Sequence, residues 1–555
     1  MNRRTHLPIS ALLLTLMALF ASTLATGAKA RAGAATAGHA ATVPVRGGAV
    51  EIAFSDDFVN LDAAQAYSND WAVMNGTLYN GLYQFDRNGV PQLDLAAAPP
   101  TISADRTTWT FHLRKGVRFS NGLPMTAADL KFSLLRTLDP NLKPAASWGQ
   151  TSDEIFAGSV AYAAGKSKDV PGIQTPDPYT IRFVLTQPVA ILPYILAESF
   201  NMVVPQAVVG KESADVFGNH PVGTGPFMLQ SWQKAVKAVF VRNPYYFRPG
   251  KPYLDRVIVD LNVAPNVIAL KVEKGELTGF GTASQVSAAD LQQAMASPQY
   301  AAYLVNAPTA QADWLNLNVH AAPLDNQKLR QAIAMGIDRA RLVKLLGGRA
   351  IPANQIYVPL DPQYDPEVDA HPVLPFDPTR AAALLKASGY RGQPITLDYY
   401  SNLQDTSAMA PGLLQDLQQM GLNASIRGVS HNSLLQIVSK LTGHQISTAL
   451  WSVDFFDGYD VYSGSLSCGA NAVGQAQGSH YCDAAADGLA QRAEALPLGP
   501  ARNALLRQAQ TRLLAAAAEI PLVYLRNVEM VSPKVGGFYY QPYFYWQFEN
   551  YWVQK

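Results

Sequence analysis

The stretch Ser447-Thr-Ala-Leu-Trp-Ser-Val-Asp-Phe-Phe-Asp457 places one carboxylate, Asp454, inside an otherwise apolar, strand-like run. Taking an unpaired carboxylate out of water costs several kcal/mol, so the position needs a cation from the chain, a wet cleft, or a ligand that brings the positive charge. Two readings follow. In one, Asp454 pairs with a core arginine or caps the turn before Asp457-Gly458, and Trp451, Phe455 and Phe456 are plain core. In the other, which the rest of the chain favours, Asp454 anchors a cationic group of a ligand and the three aromatics line its pockets.

No catalytic constellation accompanies this carboxylate. Gly464-Ser-Leu-Ser-Cys-Gly469 is out of phase with a nucleophile elbow, and no His-Glu-x-x-His helix is present. Gly165-Lys166-Ser167 resembles the end of a phosphate loop, but position 160 is Val where the first glycine belongs. The nine histidines are scattered. The expectation is a binding protein with no cofactor and no metal. An exported hydrolase is the rival class, because triads are recognised by geometry and not by sequence.

Charge excludes further classes. Lys plus Arg number 43 against 42 for Asp plus Glu, so there is no basic field for nucleic acid. At 555 residues the chain exceeds one hydrophobic core, and 48% hydrophobic residues suit several packed domains better than disorder.

The first thirty residues have the three parts of an export signal: Asn2-Arg3-Arg4, an apolar run from Leu7 to Leu24, and small residues at Ala28 and Ala30. Residues 1–30 are read as a cleavable signal peptide and 31–48 as a flexible leader. No cysteine lies near the cleavage site, so the expected product is periplasmic and not a lipoprotein. The two cysteines, Cys468 and Cys482, are read as a disulfide closing a surface loop, the alternative being a metal site with His480.

Several elements surround the Asp454 stretch. Val50-Glu-Ile-Ala-Phe reads as a strand, and Leu61 to Asp70 as a polar loop able to face a cleft, followed by a helix from Trp71 to Tyr83. Thr108-Trp-Thr-Phe-His alternates polar and large apolar residues, the period of a half-buried strand. Thr126-Ala-Ala-Asp129 has the form of a capping box before the helix Leu130 to Leu138. Asp377-Pro378 opens a helix that Gly389 ends, with Leu384 and Leu385 expected to face the core. Helices around Leu413–Met420, Leu434–Leu441 and Ala501–Ala518 alternate with strands near Asn423, Leu450 and Leu522, the order of a parallel α/β layer. Gly223 and Gly225 permit either positive φ or close backbone approach. Ten aromatics between Phe538 and Trp552 read as a packed terminal segment, or alternatively as a stacking platform.

These blocks carry a resemblance. Thr107-Thr-Trp-Thr-Phe-His-Leu-Arg-Lys-Gly-Val-Arg-Phe-Ser-Asn-Gly122, Pro221-Val-Gly-Thr-Gly-Pro-Phe227, Arg242-Asn-Pro-Tyr-Tyr246, Lys251-Pro-Tyr-Leu-Asp-Arg256 and Leu329-Arg-Gln-Ala-Ile-Ala-Met-Gly-Ile-Asp-Arg339 are similar, in order, to blocks of the family 5 extracellular solute-binding proteins. These are peptide- and nickel-type receptors of ABC importers. The resemblance implies an α/β, two-lobed periplasmic-binding-protein fold with an extra subdomain in lobe I and hinge strands between the lobes. The expected divisions are lobe I over 49–305 with its subdomain at 76–177, lobe II over 306–521, and a C-terminal return to lobe I over 522–555. It also implies a peptide or other small solute as ligand, ABC permease subunits as partners, and a monomer.

Peptide-binding relatives use an aspartate of a Trp-x-x-Asp segment for the ligand's α-ammonium, and Trp451-Ser-Val-Asp454 matches it. Tyr67, Ser68 and Asn69 of the first loop, and Tyr400 and Asn402 after the strand at Ile395, join Asp454, Trp451, Phe455 and Phe456 as candidate ligand-binding residues. One departure stands out. Dipeptide-type relatives clamp the ligand's carboxylate with an arginine in the segment that is here Tyr399-Tyr-Ser-Asn-Leu-Gln-Asp-Thr-Ser407, which has no Arg or Lys. A longer peptide fits this better, with an oligosaccharide, a cationic small molecule or a nickel complex as alternatives.

Overall fold

The computed structural model describes residues 43–65, 69–143, 155–280, 302–475, 477–540 and 546–554, with Leu291 and residues 296–298. The expected signal and most of the expected leader lie outside these residues, as do Tyr67 and Ser68 of the candidate site.

Among the described residues the chain opens with β1 (Ala49–Ala53) and, after helix α1 (Asn69–Leu78), forms a hairpin from β2 (Tyr83–Phe85) and β3 (Pro91–Leu93). Next comes a separate antiparallel sheet of β4 (Thr101–Ile102), β5 (Thr108–His112), β6 (Ile173–Asp177) and β7 (Thr180–Val184), in the order β4-β5-β7-β6. In β5, Trp109 and Phe111 are buried while Thr108, Thr110 and His112 are not, as the alternation requires. This sheet runs past position 177, because β7 is the partner that both β5 and β6 need.

Helix α2 (Ala127–Leu138) packs beside that sheet. It begins three positions before the expected Leu130, since Asp129 accepts from the Thr126 backbone N–H at 2.9 Å and so secures the first turn. The chain then passes the short helix α3 (Leu192–Ile195) and returns through β8 (Phe227–Gln233), β9 (Lys237–Arg242), β10 (Arg256–Asp260) and β11 (Gly279–Phe280), giving the lobe I sheet β11-β1-β10-β9-β8. Neither Gly223 nor Gly225 has positive φ. Both are required by close approach, because a Cβ on either would run into the backbone of Leu78.

Lobe II is built on β12 (Leu304–Leu317), β13 (Ala350–Pro352), β14 (Ile395–Tyr400), β15 (Ala424–Val429), β16 (Ile446–Ser452) and β17 (Glu519–Met530), ordered β13-β17-β12-β16-β14-β15. The interleaved helices are α4 (Pro378–Ser388), α5 (Gln404–Gln419), α6 (His431–Val438), α7 (Gly458–Val461), α8 (Ala484–Glu494) and α9 (Pro500–Ala516). Asp377 caps α4 through the Arg380 N–H, and Gly389 ends it at φ 75°. Leu384 and Leu385 are only half-buried, however, and Ala381 is the residue of that helix fully inside. Among the described residues of this sheet, only β14, β15 and β16 run parallel.

The sheet's centre is antiparallel because β12 and β17 carry the chain across and back between the lobes. They pair from Leu304↔Met530 to Asn316↔Glu519. At the lobe I end, Val531 bridges Gly279 of β11. These long strands are the hinge connection.

Two expectations are corrected here. Leu61 to Gln65 is not a polar loop facing a cleft: all five residues are buried, and fully buried Asp62 pairs with Arg136 of α2. Helix α1 ends at Leu78, so that Tyr83 enters β2. In the C-terminal segment, Trp546, Phe548 and Tyr551 are buried, with Phe538 and Trp546 ring centroids 5.6 Å apart. Glu549 pairs there with Arg248 of lobe I at 2.6 Å. The described part of this tail is packing, and 541–545 lie outside the described residues.

Cys468 and Cys482 form a disulfide with their Cα atoms 4.4 Å apart. His480, the metal alternative, has both ring nitrogens 3.1 Å from carbonyl oxygens, those of Asn471 and Lys440. Alkylating reagent should therefore label neither cysteine in oxidised native protein and both after reduction. Reduction should lower stability by about 3 kcal/mol, the chain-entropy value for a loop of this size, measured by urea unfolding with and without reductant.

Candidate functional site

Strand β16 lies against β12 with Trp451 opposite Ala312, and the Val453 N–H donates to the Ala310 carbonyl at 2.8 Å. The strand ends at Ser452. Asp454 is thus not within a strand, as its apolar neighbours had implied, but on the turn that follows, half-exposed.

A second carboxylate organises that turn. Oδ2 of Asp460 accepts from the Asp454 backbone N–H at 3.0 Å and from the Trp451 indole N–H at 2.8 Å. The indole lies so close to Gly464 that any Cβ there would overlap it. Asp460 is buried, and burial followed by the charge of Asp454 pushes its carboxyl well above the usual range.

Asp457, in the same stretch, forms a structural ion pair. Asp457 caps α7, accepting from the Tyr459 N–H at 3.0 Å, and its Oδ2 receives the guanidinium of fully buried Arg502. Gln363 donates to the same oxygen at 3.0 Å.

Lobe I meets this turn from across the cleft. The ring of Tyr194, in α3, sits 5.6 Å from that of Phe455, and the Arg106 guanidinium reaches the Ala495 carbonyl at the end of α8. Glu198 follows α3 and is buried. Burial, then the charges of Asp454 and Asp460, raise its carboxyl well above the ordinary value. The sequence reading missed Glu198 and Asp460. Asp460 carried a signal, a third acid after Asp454 and Asp457, whereas Glu198 in Ala197-Glu-Ser-Phe200 carried none.

The remaining candidates divide. Trp451 is half-buried and tied to Asp460, Phe455 is buried against Tyr194, and Phe456 is core. Asn69 begins α1, and its side chain is outside the described residues. Tyr400 is buried with its ring stacked on His431 at 4.7 Å, and burial, with Asp313, pushes its hydroxyl up to about 12. Asn402 is exposed and accepts from the His431 N–H at 2.8 Å. An arginine does stand near this segment: Arg349, just before β13, is buried and paired with Asp405 of α5. Asp313 of β12, buried with one oxygen unpartnered, is raised by that burial to about 7, with Asp405 adding to the rise. A groove of about 530 Å³ bordered by Asp365, Leu489, Arg507 and Arg512 is lined by none of the candidate residues.

The profile of bacterial extracellular solute-binding proteins, family 5 Middle, matches residues 90–472. The chain belongs to that family. This family 5 chain is 29% identical to Di/tripeptide-binding protein 4 of Pseudomonas aeruginosa (strain UCBPP-PA14), over 84% of its own length and 87% of that protein. It resembles the solved ABC transporter-associated periplasmic binding protein DppA from Helicobacter pylori in complex with peptide STSA, with a TM-score of 0.74 and 25% identity over 92% of this chain and 99% of that one. Clavulanic acid biosynthesis oligopeptide binding protein 2 shares the fold at a TM-score of 0.83 and 20% identity, over 93% of this chain and 97% of that one. These relatives are binding proteins by name, and the two-lobed α/β fold is the family's. Among the described residues no helix is long and apolar enough to cross a membrane.

Proposed function

We propose that this family 5 protein is exported by its N-terminal signal, acts as a monomer in the periplasm, and captures a peptide between its lobes for delivery to an ABC permease. The observation that carries the peptide reading is the turn after β16. There Asp454 stands half-exposed at a junction of the two lobes, beside Trp451 and Phe455, where an α-ammonium gains a charge-assisted contact. Strand β16 pairs with β14 only at Ile446 and Ser447, so its end from Ala449 to Ser452 offers backbone groups on that side to an extended ligand in the manner of an added strand, which gives affinity with little dependence on peptide sequence. The names of the relatives support the same class of ligand.

Length follows from the other end. Arg349 is committed to Asp405, and Tyr399 to Ser407 contains no cation, so the clamp that dipeptide receptors use for a carboxylate is not offered here. A peptide longer than two residues, with its carboxylate in solvent, is the better fit.

Purified protein mixed with a peptide library should gain about 2.7 kcal/mol of stability from any member present at a hundredfold excess over its dissociation constant. Thermal shift and mass spectrometry on the same samples check this, and the peptides should be recovered intact. N-acetylation of a bound peptide should abolish most of the shift. Cleaved peptide would support a hydrolase, and an unchanged shift after acetylation would remove the ammonium from the account.

A further inference from the structure

Glu198 has no role in the fold that its burial explains. It is 7% exposed, and its Oε1 has no hydrogen-bond partner among the described residues. The charges that act on it are those of Asp454 and Asp460, both on the segment that follows β16. The chain path also puts Glu198 beside the turn that carries Asp454, since its N–H closes the turn after α3 on the Ile195 carbonyl at 3.2 Å. Tyr194, four residues before Glu198, touches Phe455, the neighbour of Asp454, and the Asp454 N–H is bonded to Asp460 at 3.0 Å.

Carboxylates contributed by opposite lobes repel as the cleft shuts, so an empty closed form is opposed at this point. A cation between them reverses the sign and becomes a contact that only the closed form makes, which is the differential interaction that ligand-driven closure requires. One α-ammonium engages Asp454 and leaves Glu198 and Asp460 facing each other. Among the described residues no three acids, histidines or cysteines are grouped as metal ligands would be. An extended organic cation suits carboxylates that are near one another but do not converge, and the half-buried Trp451 ring, bonded to Asp460, stands beside them for an aliphatic stem and its charged tip.

We propose that Glu198 is a specificity residue. With Asp460 it receives a second positive charge, the basic side chain of the peptide's first residue, while Asp454 holds the α-ammonium. This assignment rests on the peptide reading above.

Two peptide mixtures, three to five residues long and identical except for lysine or norleucine at the first position, test it by titration calorimetry. Wild-type protein should bind the lysine mixture roughly tenfold or more tightly, and Glu198→Gln should bring the two affinities to within about threefold of each other. Equal wild-type affinities would overturn the second-cation assignment and leave peptide binding standing. Equal loss of both mixtures in Glu198→Gln would also overturn it, since Glu198 would then not discriminate. If wild type binds neither mixture, the peptide reading falls and this one with it. Should Glu198→Gln fail to fold, the wild-type ratio of lysine to norleucine decides alone.

Discussion

Asp454→Asn should weaken peptide binding by about 2 to 5 kcal/mol, measured by calorimetry, while the empty protein melts at an unchanged or higher temperature. The substitution removes charge and keeps shape. In the empty protein Asp454 raises both Asp460 and Glu198, so its negative charge burdens two buried acids and its loss relieves them. In the proposed complex the same charge faces an ammonium in a closed cleft, where a lost partner leaves a desolvated cation unmatched. Binding and stability therefore move apart. A variant that binds normally but melts much earlier would show that Asp454 belongs to the scaffold.

Much of the frame was legible because it depends on neighbours in sequence. The alternation of β5 and the Asp377 cap with Gly389 at the far end of α4 both state local geometry, and the structure uses each of them locally. What the sequence did not show depends on distant residues. The hinge strands β12 and β17 span the expected boundaries at 305 and 521, and nothing in a strand's own pattern says that its two ends serve different lobes. Arg136 with Asp62 and Arg349 with Asp405 pair residues 74 and 56 positions apart, so the first turned a supposed polar loop into core and the second supplied an arginine where the local segment had none.

The candidate site divides in the same way. The Trp451 to Asp457 stretch was found by a charge among apolar residues, a local signal. The use of Asp457 was not local, since its partner Arg502 lies forty-five positions away on α9. Glu198 illustrates the limit. An acid beside Ser199 and Phe200 looks like surface, and only the folded chain shows it buried.

Arg502→Met should be the most damaging single change near the site, costing about 3 to 5 kcal/mol in urea unfolding. Arg502 is fully buried, and its Nε and Nη2 have no hydrogen-bond partners among the described residues, so Asp457 is the charge that compensates it. Removing the guanidinium leaves Asp457 buried without its cation beside Asp361, whose own carboxyl burial and Asp457 already push well above the usual range. The reciprocal change, Asp457→Asn, leaves a buried cation instead. Adding it to Arg502→Met should recover a large part of the loss, because neither charge then remains unmatched and the methionine stem fills the apolar space. Affinity should fall together with stability in Arg502→Met, since Asp457 caps α7 and fixes the turn that presents Asp454. This pattern is the opposite of the one expected for Asp454→Asn, and the two aspartates lie three residues apart. If Arg502→Met unfolds like wild type, the ion pair contributes nothing to the turn, and the separation of a structural carboxylate at Asp457 from a ligand carboxylate at Asp454 fails.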